Sequence, residues 1–153
     1  MKRSSVAHLE CSIARSLELV GEWWSLLVVR EVFFGHHRFE EMREELGISR
    51  NILTDRLNTL VEGDVLHRVP SDDGHHEYRL TDKGADLYEV LVAIMQWGDR
   101  WNSPDGPPTV LVHSCGEHAK PHLTCDRCGE DMTGPTTRLI DGPGRRGPAK
   151  HGS

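Results

Sequence analysis

Three sets of side chains in this sequence have the types and spacing to do chemistry. The first combines thiols and imidazoles. Cys125-x-x-Cys128-Gly129 is a tight knuckle that can present two thiolates to one ion, and His113-Ser-Cys115 lies upstream of it. A tetrahedral zinc site needs two further soft or imidazole ligands, with Cys115 the third and His113 the fourth, and His118 and His122 competing for that last place. A Cys125–Cys128 redox pair and free thiols are the alternatives. A segment of about 30 residues is too short to fold on a hydrophobic core alone, which favours the metal. The second set is a single thiol. Cys11-Ser12 opens an apolar-periodic segment, and a thiol at a helix start has its thiolate stabilised by unpaired N–H groups, which raises its reactivity. The alternative is a half-buried thiol that packs an interface between subunits.

The third set is a row of short polar side chains on one helix. At about 100° per residue, Leu53, Leu57, Leu60 and Val61 share one face of a helix over residues 50–62, while Asn51, Thr54, Asp55 and Asn58 share the opposite one. Ser49 is a natural N-cap, and Gly63 is expected in the left-handed conformation that ends a helix. Phe39, Met42 and Leu46 mark a shorter amphipathic helix upstream, joined by Gly47-Ile48-Ser49, a connection tight enough to specify a helix-turn-helix. Amide and hydroxyl groups on the N-terminal half of such a helix can bond base edges in a DNA major groove, with Arg50 placed for phosphate or guanine. An ordinary solvated helix face is the plainer interpretation.

The elements around these residues are legible from the same patterns. Ile13, Leu17 and Val20 recur at helical spacing after Cys11, and residues 23–34 are apolar nearly all round, as a helix in the middle of a core would be. Val65–Val69 and Glu77–Leu80 read as strands around the turn Pro70-Ser71-Asp72-Asp73-Gly74, a hairpin that would form a wing. Thr81 is expected to cap one long helix with a seam of Leu87, Leu91, Ile94, Gly98 and Trp101. A three-helix winged core has no internal use for so long a seam, which predicts packing against a second subunit. Trp23, Trp24, Trp97 and Trp101 are expected in the core, and Glu40, Glu41, Glu44 and Glu45 on a solvated face. Residues 102–108 are a proline-rich linker, and Thr109–Val112 is a short strand candidate. The expected division is therefore a winged domain at 1–101, a linker at 102–108, a Cys/His-rich appendage at 109–140 and a disordered Gly/Pro/Arg tail at 141–153.

Composition limits the function. The 153 residues hold 18 Lys plus Arg against 24 Asp plus Glu, a net charge of −6, the wrong sign for a protein that coats nucleic acid indiscriminately. Of these, 12 basic and 18 acidic residues fall within the first 101 positions, so DNA binding there requires a local basic patch. No apolar run approaches the ~20 residues of a membrane span, and the N-terminus lacks a signal-peptide stretch. A cytoplasmic location follows as an expectation, and there cysteines serve as thiols or metal ligands more often than as structural disulfides. No Gly-rich phosphate loop or Ser/His/Asp order suggests an enzyme.

Cys11, the run Leu-Glu-Leu-Val-Gly-Glu-Trp-Trp-Ser-Leu-Leu at 17–27, Gly35 with Arg38-Phe39, Gly47-Ile-Ser-x-x-x-Leu53-Thr54-x-x-Leu57 and Glu77-Tyr-x-Leu-Thr-x-x-Gly84 together resemble the HxlR-type winged helix-turn-helix regulators. The resemblance spans residues 11–101. It implies a mainly α fold with a small β-hairpin, a homodimer built from the first and last helices, and an operator of double-stranded DNA with two half-sites. It also implies that the helix at 50–62 enters the major groove and that the hairpin at 65–80 touches the backbone or minor groove. The DNA-contacting set under this resemblance is Arg38, Ser49, Arg50, Asn51, Thr54, Asn58, Arg68, His75 and Arg79. Some members sense oxidants or aldehydes through the cysteine matching Cys11. One departure concerns the wing, where the family often has an arginine before the Glu-Tyr pair; here two carboxylates and two histidines form the tip, and binding would rise as those histidines protonate below about pH 6.5. The expected function is a dimeric, sequence-specific transcription regulator. The alternative is a metal- or thiol-responsive interaction protein that keeps the winged fold without specific DNA binding.

Overall fold

The structure is a computed structural model that describes residues 5–146. In chain order the helices are α1 (Ser12–Val20), α2 (Trp23–Phe33), α3 (Phe39–Leu46) and α4 (Arg50–Glu62). The strands β1 (Leu66–Pro70) and β2 (His76–Leu80) follow, then α5 (Asp82–Ala85), α6 (Leu87–Trp101) and a 3-10 turn at Gly134–Thr136. The described residues divide into two compact units between Leu91 and Val92. The division falls inside α6 rather than at the 102–108 linker.

In the first unit the core forms where the apolar faces of α2 and α4 meet. Val28, Val29 and Val32 of α2 are buried with Leu53, Leu57 and Leu60 of α4, and Val20, Met42, Ile48, Val65 and Leu66 complete the cluster. α2 packs against α1, α3, α4 and β2, the central position its composition predicts. Its first residue departs from that prediction. Trp23 is 81% exposed, because it lies at the end of the helix and on the side away from the valines. Val61 is only half-buried, at the edge of the apolar stripe.

The α3–α4 turn is built as expected. Gly47 takes φ +62 and closes α3 through its amide to the carbonyls of Arg43 and Glu44, and the Ser49 hydroxyl accepts the Ile52 amide at 3.3 Å. The end of α4 differs from the expectation. Gly63 has φ −80, and the left-handed residue is Asp64, at φ +58, a region where Asp is among the better tolerated side chains. Gly63 is small for another reason: a Cβ there would meet the Leu19 side chain of α1 at 2.2 Å.

The two strands are antiparallel, pairing Leu66 with Leu80, Arg68 with Tyr78 and Pro70 with His76, one residue displaced from the expected ends. The hairpin is tied to the helix-turn-helix by the Tyr78 amide, which donates to the His37 carbonyl at 2.8 Å. The long helix expected after Thr81 comes in two pieces, interrupted at Asp86. The Thr81 hydroxyl donates to the Asp64 carbonyl at 2.6 Å and accepts the Gly84 amide at 3.0 Å. Gly84 lies so close to Val65 that a Cβ would stand 2.1 Å from its carbonyl oxygen. This first turn is clamped to the segment just ahead of β1, and the helix restarts beyond it.

In the second unit, α6 residues after Leu91 belong with the appendage, where Gln96 Nε2 donates to the Pro121 carbonyl at 2.8 Å. Trp97 and Trp101 are 61% and 63% exposed, and Ile94 is exposed with them, so the expectation of core fails at these two as it does at Trp23, and holds at Trp24, which packs partly buried against the core. The strand expected at Thr109–Val112 is reduced to an isolated bridge between Val112 and His118, matched by one between Thr124 and Asp131. Of the expected tail, residues 141–146 are described, with Arg145 Nε 3.4 Å from Asp141. Residues 147–153 lie outside the described residues.

Candidate nucleic-acid interface

The polar face of α4 points outward because its apolar face is held by α2. Asn51, Thr54, Asp55 and Asn58 are all exposed, while Leu53, Leu57 and Leu60, interleaved with them, are buried. Among the described residues, Asn51 and Thr54 have no side-chain hydrogen bond and remain available to a ligand. Asn58 is engaged: its Oδ1 accepts from Arg68 Nη2 at 2.6 Å. Arg68, on β1, also lies over the Tyr78 ring at 5.8 Å. This bond joins the polar face of α4 to the wing, and sequence spacing gave no sign of it.

The other candidate cations are similarly committed. Arg38, at the N-cap of α3, pairs with Asp73 at the wing tip, donates to the Ser71 hydroxyl at 3.1 Å, and stands 3.8 Å from Glu77. Arg50, the first residue of α4, pairs with Glu40 of α3 and lies over the Phe39 ring at 5.0 Å. Glu40 also accepts from Arg43 at 2.8 Å. Arg79 donates to Glu77 at 2.6 Å. Arg38, Phe39, Glu40, Arg50, His75, His76 and Tyr78 line one open groove of about 430 Å³ between the helix-turn-helix and the wing. The charge pattern follows from these pairs. The Arg38 guanidinium, with the His75 amide, holds the Asp73 carboxyl down at about 2, and Arg43 and Arg50 hold Glu40 below its ordinary value. The acidic row on α3 is thus more than a solvated face. Glu40 bonds two arginines, and Glu41 accepts the amides of His37 and Arg38, each at 3.0 Å. The excess of acid in the first 101 residues was the signal for such pairing, although its partners depend on tertiary placement.

The two thiol sets fare differently. Cys11 is exposed at the N-cap of α1 and makes no side-chain capping bond. In the appendage, Cys125 and Cys128 come together in a knuckle closed by Gly129 at φ +75, whose amide donates to the Cys125 carbonyl at 2.8 Å. The amides of Arg127 and Cys128, with the Cys128 thiol, push the Cys125 thiol below its ordinary value. His113 and Cys115 occupy a separate turn, in which the Cys115 amide lies 3.4 Å from His113 Nδ1. Among the described residues, no group of three or more His, Cys, Asp or Glu side chains is placed to hold a metal ion. The expected set of His113, Cys115, Cys125 and Cys128 is thus divided between that turn and the knuckle, with His113 Nδ1 facing the Cys115 amide. Zinc rests on the chemistry and spacing of these four donors.

A helix-turn-helix whose second helix exposes amides and hydroxyls, with a hairpin wing bonded to that helix, defines a winged DNA-binding protein. The comparison with known proteins makes this specific: residues 19–106 match the model for the HxlR-like helix-turn-helix, and the chain belongs to that family, which consists of transcription regulators rather than enzymes. It is 50% identical over 137 residues to the HTH-type transcriptional regulator Rv3095 of Mycobacterium tuberculosis, covering 87% of each chain. Among solved structures it is similar to PA1607, described as a transcription factor, at 40% identity and TM-score 0.80 over 89% of this chain and 98% of that one. It is also similar to the reduced form of the regulator YodB from Bacillus subtilis, at 29% identity and TM-score 0.53, over 63% of this chain and 98% of that one. Among the described residues no helix is long and apolar enough to cross a membrane.

The loop that enters the helix-turn-helix carries a pH-dependent contact. His36 Nδ1 lies 2.7 Å from Glu31, a carboxylate buried at the end of α2 that also accepts from Arg30 Nε at 2.9 Å. Glu31 holds the His36 pKa above its ordinary 6.5, with Glu45 and Glu41 adding to the effect. A raised folded-state pKa gives stability that is fully present below 6.5 and is lost as pH rises through the raised value. The thermal midpoint of the protein is expected to fall as pH rises through that window, and His36→Gln is expected to flatten the fall. An equal fall in the variant would show that this pair does not contribute.

Proposed function

We propose that the protein is a dimeric regulator that reads its operator with Asn51, Thr54 and the Ser49-capped start of α4, while Arg38, Arg50, Arg68, His75 and Arg79 follow the DNA backbone from the turn and the wing. The observation that carries this reading is the outward, unbonded placement of Asn51 and Thr54 on a helix whose other face is fixed in the core. Amide side chains on such a helix pair with adenine edges, and arginines with guanine or phosphate. Dimerisation draws its support from two uncovered apolar faces. Leu9, Ile13 and Leu17 are exposed around α1, and Ile94, Trp97 and Trp101 are exposed on α6; a second copy would bury that surface. A thiol-sensing role for Cys11 draws on its exposure at a helix start and on relatives described as regulators in reduced, quinone-bound and oxidised forms. The runner-up, an interaction protein without specific DNA binding, draws on the pairing of the arginines with acids.

Titration of a duplex carrying the stretch upstream of the protein's own gene tests the reading. Two chains per duplex are expected. Asn51→Ala is expected to cost about 1–3 kcal/mol of discrimination at one base position, whereas Arg50→Ala, on phosphate, should weaken all sequences alike and reduce the salt slope by about one. Unchanged affinity and preference in both variants would remove α4 from the groove. For the sensor, Cys11→Ser is expected to bind like the reduced protein and to lose any response to a quinone or mild oxidant; a retained response would move the role to the appendage thiols. Structural zinc is tested by metal analysis of the full chain purified without chelator. About one zinc per chain, lost in Cys125→Ser, supports the four-ligand proposal, and zinc-free protein with reduced thiols leaves the Cys125–Cys128 dithiol.

A further inference from the structure

The candidate phosphate-binding arginines already hold carboxylates. Arg38 pairs with Asp73 and Arg50 with Glu40, the acids coming from the wing and from α3. A carboxylate offers a guanidinium the same two-oxygen fork that a phosphate does. Phe39 lies under the Arg50 guanidinium, and Ser71 takes a second Arg38 donor at 3.1 Å, so both cations are fixed in direction as well as neutralised. Arg38, Arg50 and Glu40 line the same groove. Nothing comparable occupies Asn51 or Thr54.

We propose that Glu40 and Asp73 are internal stand-ins for DNA phosphate, setting the affinity of this face by lowering its backbone binding to any duplex. The proposal rests on the reading of α4 and the wing as a DNA interface. Nonspecific binding comes almost wholly from neutralising phosphates. A phosphate that takes Arg38 or Arg50 here must displace an acid, so the number of ion pairs does not rise, and the freed carboxylate is left facing the DNA backbone. Contacts from Asn51 and Thr54 to bases carry no such cost. Backbone contact alone therefore binds weakly, and a stable complex requires base contacts. This accounts for an acidic chain with a DNA-reading helix. The pairs are exposed, at 42% and 43% for Arg38 and Asp73. Exposed ion pairs are weak, so phosphate can displace the acids, and the masking amounts to a several-fold effect rather than a block. With the Asp73 carboxyl held at about 2, the stand-in stays charged at any working pH.

The test uses the full chain and an end-labelled duplex of mixed sequence, followed by fluorescence anisotropy over a KCl series. Asp73→Asn keeps an acceptor for the His75 amide, which bonds the native carboxylate at 3.2 Å, so the turn has its bond in the variant. It is expected to bind several-fold more tightly, with a salt slope steeper by about one. Asp72→Asn removes the same charge one residue away and is expected to gain much less. Placed in an Arg38→Ala background, Asp73→Asn should gain no more than Asp72→Asn does, and Glu40→Gln should depend on Arg50 in the same way. Equal gains at 72 and 73, or gains that survive loss of the arginine, would overturn the proposal in favour of simple long-range charge. If Arg38→Ala, Arg50→Ala and Asn51→Ala all bind DNA as the unaltered chain does, the interface itself is misplaced and the proposal falls with it.

Discussion

Everything on the exposed face of this protein depends on the packing of α4 against α2. Leu53, Leu57 and Leu60 are buried against Val28, Val29 and Val32, and truncating one such leucine to alanine typically costs about 2–5 kcal/mol. That burial fixes the rotation of α4 about its axis. Helical periodicity then leaves Asn51, Thr54, Asp55 and Asn58 no direction but outward. The positively curved Gly47 turn and the Ser49 cap set where the helix begins, which places Arg50 beside α3 rather than further along the groove.

The second constraint is electrostatic. The wing is attached to the helix-turn-helix by one backbone bond, from Tyr78 to His37, and by side-chain bonds from Arg38 to Asp73 and Ser71 and from Arg68 to Asn58. The residues that orient the wing are therefore the same residues that would touch DNA. Under the proposed reading, exchanging these side-chain partners for phosphates would loosen that part of the attachment and link wing position to DNA binding.

Most of the winged fold was legible in the sequence because its signals are local. Apolar spacing located α1 to α4, Gly47 and Ser49 marked the central turn, and the Asp-Asp-Gly turn located the hairpin. The misreadings occurred where long-range placement decides. Gly63 was assigned a left-handed cap on residue type, yet its smallness serves Leu19 of α1, and Asp64 takes the positive φ. Thr81 reads as the start of a single helix, but its clamp to Asp64 and Val65, just ahead of β1, and the close approach of Gly84 to Val65 break that helix at Asp86. Helical spacing places the tryptophans in the core, whereas Trp23, Trp97 and Trp101 are uncovered in one chain. Of the candidate site, the residue types on α4 were evident, but their acid partners Glu40 and Asp73 and the Asn58–Arg68 bond were not. Those depend on elements 10 to 35 residues apart in the chain. In the appendage, spacing suggests four ligands, of which Cys125 and Cys128 share a knuckle.

The outward face of α4, with the wing bonded to it, is proposed as the surface that meets DNA. The most direct measurement is nuclear magnetic resonance of the full chain titrated with the duplex from upstream of its gene, following side-chain amide and guanidinium signals. The Asn51 and Asn58 amides and the Arg38, Arg50 and Arg68 guanidinium groups are expected to shift together, with the buried methyls of Leu53 and Leu57 little moved. Shifts confined to α1, α6 or the appendage, with the Asn51 and Asn58 amides unmoved at saturation, would contradict it.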